Sequence, residues 1–74
     1  MLISLRDKNG KLLVKDLLDI EFDMSVVENN KEYYVSVNRK YTLDEMFINE
    51  SDAEERMIEI ANIRNSLEEE LKNY

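Results

Sequence analysis

Hydrophobic and polar residues alternate along the first half of this chain, and the pattern shifts to a helical period in its last third. In MLISLRD (1–7) Met1, Ile3 and Leu5 fall on one side and Ser4 and Arg6 on the other, the period of a half-buried strand. The following DKNGK carries Asn9-Gly10, the pair best suited to the positive φ angles of a type I′ turn, so a hairpin onto KLLVK is predicted. DIEFDMSV gives the cleanest alternation, with Ile20, Phe22, Met24 and Val26 opposed to Glu21, Asp23 and Ser25. After the polar turn ENNK (28–31), EYYVSVN sets Tyr33, Val35 and Val37 on one face, a further strand rich in β-branched and aromatic residues.

YTLDEMFI (41–48) reads two ways. Leu43, Met46 and Phe47 fit a helical face and Thr42 with Glu45 fits a capping box, whereas the β-rich start after a short NRK turn fits a strand. The strand is the expectation adopted. Ser51 followed by Glu54 forms a second capping box, and Asp52, Glu54 and Glu55 put negative charge where a helix dipole prefers it. No Gly or Pro follows, so a helix of about 35 Å over 51–74 is predicted. The expected fold is therefore a single α+β domain spanning 1–74: an antiparallel β-meander of four or five strands over 1–48, one face of it covered by a long C-terminal α-helix.

Length and composition narrow what this fold does. A 74-residue chain buries a small share of its surface and commonly needs a disulfide, a metal or a partner for support. It holds no Cys and no His, which removes disulfides, thiolate sites, the commonest zinc ligand and the commonest general base. A partner subunit is the remaining prop. Seventeen acids against ten bases, a net charge of −7, repel nucleic acid and anionic membrane alike, so direct nucleic-acid binding and membrane binding are not expected. No apolar run approaches the roughly 20 residues of a membrane span, MLISLRDKNG lacks the features of a signal peptide, and a cytoplasmic location is expected. Asn49-Glu50-Ser51 matches the glycosylation triplet and carries no weight without a secretory signal.

Candidate chemistry is sparse. Asp16, Asp19, Glu21 and Asp23 lie close in sequence and form a conceivable site for a hard cation, but calcium loops wrap their ligands around a Gly-containing turn and this segment has none. A solvated strand face is the reading adopted, with no metal or cofactor. Ser4, Ser25, Ser36, Ser51 and Ser66 have no His to activate them, and Gly10 alone cannot build a phosphate loop. No catalytic residue is assigned, and the chain is not expected to be an enzyme; a carboxylate-metal enzyme is a distant alternative.

The helix is the most informative stretch. Met57, Ile60, Arg64, Leu67, Leu71 and Tyr74 recur at spacings of three and four, forming a seam that Ala53 extends backwards. Met57 to Ile63 is apolar over a wide arc and is expected on the sheet. The narrower second half is expected to meet a second copy, parallel or antiparallel, with Arg64 answered by the other chain's Glu68 or Glu70. The competing reading lays the whole helix on its own sheet, with Arg64 snorkelling at the rim. Glu68, Glu69 and Glu70 near the helix C-terminus oppose the dipole, and they offer an acidic surface for a basic host protein, in imitation of nucleic acid.

MLISLRDKNGKLLV, KEYYVSVNRKYTL and SDAEERMIEIANI, in that order, resemble small uncharacterised proteins of low-GC Gram-positive bacteria and their prophages. In those, a short strand, a D-x-x-G turn and further strands precede a helix rich in Ala, Glu and Ile; the tail from Arg64 to Tyr74 is longer than the resemblance implies. The residue bias toward Asn, Lys, Ile and Glu fits such a source. No functional residue is carried over, since those proteins have no assigned activity. The expected role is a non-catalytic, phage-related protein-interaction module that forms a homodimer, with the acidic inhibitor of a basic host protein as its alternative.

Overall fold

The computed structural model describes residues 1–19 and 23–72, and over them the chain forms five strands, one 3-10 turn and one α-helix. In chain order these are β1 (Leu2–Arg6), β2 (Leu12–Asp16), a 3-10 helix (Leu17–Asp19), β3 (Met24–Asn29), β4 (Glu32–Val37), β5 (Tyr41–Leu43) and α1 (Glu50–Lys72). The strands form one antiparallel sheet in the order β2-β1-β5-β4-β3. β5 returns to pair with β1 through Leu5↔Leu43 and Arg6↔Thr42, so β2 and β3 are left as the two edges. The α+β arrangement of antiparallel strands followed by one packed helix is the one the periodicity predicts.

One turn differs from expectation in its geometry. Asn9-Gly10 does not adopt the type I′ geometry, because only Gly10 has positive φ (78°). The Asp7 carboxylate accepts the backbone N–H groups of Asn9 and Lys11, both at 2.9 Å, and Asp7 O accepts that of Gly10 at 3.0 Å. That bonding holds Lys8-Asn9 in an ordinary turn and leaves the left-handed position to Gly10, the bulged hairpin that three-residue loops favour. The paired positive φ angles of a type I′ turn occur instead at Asn30-Lys31 (53° and 66°) and Asn38-Arg39 (54° and 60°). Asn leads each pair, the non-glycine residue that tolerates this region best.

Other boundaries also move. The strand expected to begin at Asp19 begins at Met24; Leu17–Asp19 is a 3-10 turn that buries Leu17 against the core, while Ile20, Glu21 and Phe22 lie outside the described residues. In 41–48 the strand reading holds for Tyr41–Leu43 only. Phe47 then forms a single bridge to Tyr33, its N–H and C=O both engaged at 2.8–2.9 Å. The helix starts at Glu50, so Ser51 is not its cap. Asn49 stands before it: its carbonyl accepts the N–H of Ala53 at 3.4 Å and its side-chain amide donates to the Asp52 carboxylate at 3.3 Å.

One face of the sheet makes the core. Ile3, Leu5, Val35, Val37 and Leu43 point inward and are buried with Leu17 and Ile60, and Met24, Tyr41, Phe47, Met57, Ile63 and Leu67 pack around them. The helix lies on β4, β3 and the 3-10 turn. Ala53 is wholly buried at its start, where a small side chain lets the helix approach the sheet closely. From Ala53 to Leu67 the packed stripe is about 21 Å long, which matches a six-residue strand of about 20 Å. The opposite face carries no covering element among the described residues.

Candidate functional site

No group of three or more Asp or Glu is arranged to hold a metal among the described residues. Asp16 accepts the Leu18 N–H at 3.0 Å and lies 3.8 Å from the N-terminal ammonium. Asp19 sits in the 3-10 turn and Asp23 pairs with Arg39 at 3.7 Å, so the carboxylates expected on a shared strand face are parted; Glu21 lies outside the described residues. Ser4 and Ser51 are exposed, and Ser36 faces away from the core between Thr42 and Ser25.

Two tyrosines of β4, Tyr33 and Tyr34, carry electrostatic features that titration can read. Glu28 stands directly across from Tyr33 in the β3–β4 ladder, and its negative charge, with burial and the charge of Glu50, raises the phenol above its ordinary value of 10.0. Tyr34 is raised likewise by its hydrogen bond to Glu32. A phenol whose folded pKa lies above the unfolded value favours folding below pH about 10, and that contribution is lost as pH climbs through the raised value. Replacing Glu28 by Gln is expected to bring the Tyr33 titration, followed by ultraviolet absorbance of the phenolate, back down toward its ordinary value. An unmoved titration would assign the shift to burial.

The helical seam lies differently from a free interface. Ile60 is 1% exposed, and Met57 and Leu67 pack against the same core. Arg64 keeps 15% of its side chain exposed and bonds Glu68 of its own chain at 2.6 Å. Leu71 alone among the described seam residues stands largely in solvent, at 62%, and Tyr74 lies outside the described residues. Glu69 and Glu70 are exposed, and Glu68 is occupied by Arg64.

A cluster of exposed apolar side chains lies elsewhere, on the outer face of the β1–β2 hairpin. Leu2 (69% exposed), Leu12 (47%) and Val14 (58%) all project there, with Met1 (52%) beside them. The register places them together: Arg6 opposite Leu12, Ser4 opposite Val14, Leu2 opposite Asp16. A crevice of about 290 Å³ lined by Met1, Leu2, Ser4, Asp44 and Arg56 among others adjoins the patch. Arg6 is held to Asp44 at 2.9 Å and donates to Gly10 O at 2.9 Å, and these bonds fix the top of the patch. Alternation in β1 alone does not reveal this surface. The readable signal is Leu12-Leu13-Val14, three apolar residues in succession, of which a strand with one buried face can hide only the middle one.

No protein-family model matches this chain, and no curated protein and no solved structure shows significant similarity to it.

Proposed function

We propose that this chain is a non-catalytic protein-interaction module whose working surface is the outer face of its sheet. The observation that carries the reading is the cluster of Leu2, Leu12 and Val14, three aliphatic side chains exposed side by side on rigid strands. Scattered apolar residues on a surface are ordinary; contiguous ones rimmed by polar groups mark binding sites. Ser25, Ser36 and Thr42 continue the same face with short side chains, and Val27 opposite Tyr34 adds to it toward the β3 edge.

A second reading has its own observation. The helix carries Glu50, Asp52, Glu54, Glu55, Glu59, Glu68, Glu69 and Glu70 against Arg56, Arg64 and Lys72, and Arg56 and Arg64 are engaged with Glu45, Glu59 and Glu68 of the same chain. Its solvent face is thus acidic, the property required for occupying a basic protein in place of nucleic acid. One experiment separates the two. A photo-reactive residue introduced at position 14, in cells of the native source, is expected to yield a protein adduct, and the same residue at position 69 none. An adduct to a basic protein from position 69 with none from position 14 would move the function to the helix.

A further inference from the structure

We infer that the free edge of β2 takes up an extended peptide in which acidic and apolar residues alternate. This carries the interaction role beyond the outer face, to the strand that borders it. The cations of the chain are sorted by type. Each of the four arginines is ion-paired within the molecule: Arg6 to Asp44, Arg39 to Asp23, Arg56 to Glu45 and Glu59, and Arg64 to Glu68. No lysine is ion-paired among the described residues, and four of the six gather at one corner of the sheet. Lys8 and Lys11 stand in the turn before β2, Lys15 within it, and Lys40 in the turn before β5. Lys8 and Lys40 line one groove of about 350 Å³ together with the half-buried Leu13 and Tyr41, and the Lys15 ammonium lies 5.2 Å from the Tyr41 ring centroid. Asp7 shares that groove, its carboxylate accepting the N–H groups of Asn9 and Lys11 at 2.9 Å. A chain of net charge −7 thus presents a positive surface beside this edge.

The backbone supplies the second half of the site. β2 ends the sheet, with no described strand beyond it, and the helix packs chiefly on β4, β3 and the 3-10 turn. Asp7 N–H donates to Lys11 O at 3.1 Å and Leu17 N–H to Met1 O at 2.9 Å, which with the register Ile3↔Lys15 and Leu5↔Leu13 assigns the odd-numbered residues of β2 to bonding with β1. The N–H and C=O groups of Leu12, Val14 and Asp16 therefore point at the free edge. A strand added there sets its side chains alternately beside Leu12 and Val14 on the outer face and beside Leu13 and Lys15 on the helix-bearing face. Apolar residues suit the first side, where Leu12 and Val14 are exposed, and carboxylates suit the second. Lysine on an edge ordinarily keeps sheets apart, because two such edges repel. The same charge draws in a strand that carries acids. β3, the opposite edge, bears Glu28 and follows Asp23, so it repels that strand. A nucleic-acid strand offers phosphates but no ladder of N–H and C=O groups to meet Leu12 and Val14.

Titration of the full chain with a capped synthetic peptide, Glu and Val alternating over about seven residues, tests this. A Lys/Val peptide of the same length and a short single-stranded oligonucleotide are the comparisons. The Glu/Val peptide is expected to bind with a Kd below about 1 mM, more weakly as salt rises. It is expected to slow amide hydrogen exchange at Leu12 and Val14 and to leave the β3 amides unchanged. Lys8→Glu combined with Lys40→Glu, both at exposed positions, is expected to weaken binding at least about tenfold. Lys15→Gln keeps a stem over Tyr41 without the charge and is expected to weaken it as well. Circular dichroism and the melting temperature show whether each variant is folded. Absence of binding by the Glu/Val peptide overturns the inference, as do equal binding of the Lys/Val peptide, indifference to all these variants, or tighter binding of the oligonucleotide. The edge and the outer face fail separately. An adduct from position 14 without peptide binding removes the edge and leaves the face standing, whereas peptide binding without an adduct leaves the edge and removes the face.

Discussion

Ile60→Ala is expected to destabilise the chain by about 2–5 kcal/mol, enough to lower its melting temperature by upward of about 10 °C for a domain of this size. Ile60 is 1% exposed and is the one helix residue among the three largest fully buried side chains, beside Leu5 of β1 and Val35 of β4. It therefore joins the helix to the centre of the sheet. Removing three methyl or methylene carbons forfeits their transfer energy and leaves a void that a five-stranded sheet cannot close without moving its strands. At roughly 0.05–0.15 kcal/mol per residue the whole molecule is stable by only about 4–11 kcal/mol, so this single change removes a large part of the margin. Urea denaturation is the check. A loss below about 1 kcal/mol would mean that the helix is not held where Ile60 places it.

The parts of this fold legible in the sequence are those set by burial of one face. Ile3 and Leu5, and Val35 and Val37, alternate with polar neighbours because their strands have one covered side, and the structure buries those four. Turn positions were legible, but their geometry was not. Asn9-Gly10 carries the dipeptide signature of one turn type, yet the Asp7 carboxylate two residues earlier captures the local N–H groups and selects another. The start of β3 was hidden for a different reason. Alternation from Asp19 onward is a local pattern, whereas the chain between Asp16 and Met24 has to pass from one sheet edge to the other, and Leu17 is buried on that path. Strand order carries no local signal, so the pairing of β5 with β1 could not be read. The exposed apolar face of β1 and β2 leaves no mark in the alternation of β1. The apolar run Leu12-Leu13-Val14, which must expose its first and third members once the strand is half covered, held the information.

The helix seam poses the sharpest case, because three-and-four spacing is the same whether the partner is a second helix or a sheet. Leu67 and Leu71 are one turn apart on one face, and the spacing treats them alike. The structure does not: Leu67 packs against the core with Met57 and Ile63, while Leu71 is 62% exposed. The packed stripe ends at Leu67 because the sheet beneath it is only about 20 Å long. Leu67→Glu is accordingly expected to cost about 2–3 kcal/mol, the loss of a mostly buried leucine together with a carboxylate held against apolar neighbours. A new carboxylate at this position also joins Glu68, Glu69 and Glu70, adding like charge near a helix C-terminus where the dipole already disfavours it. Leu71→Glu shares that last penalty and lacks the first two, so it is expected to cost no more than about 0.5 kcal/mol. Urea titrations of the two variants at low micromolar concentration, where self-association contributes least, measure the difference directly. Equal losses would place Leu71 in contact with something the isolated chain does not contain, and would return the helix end to the role of a partner surface.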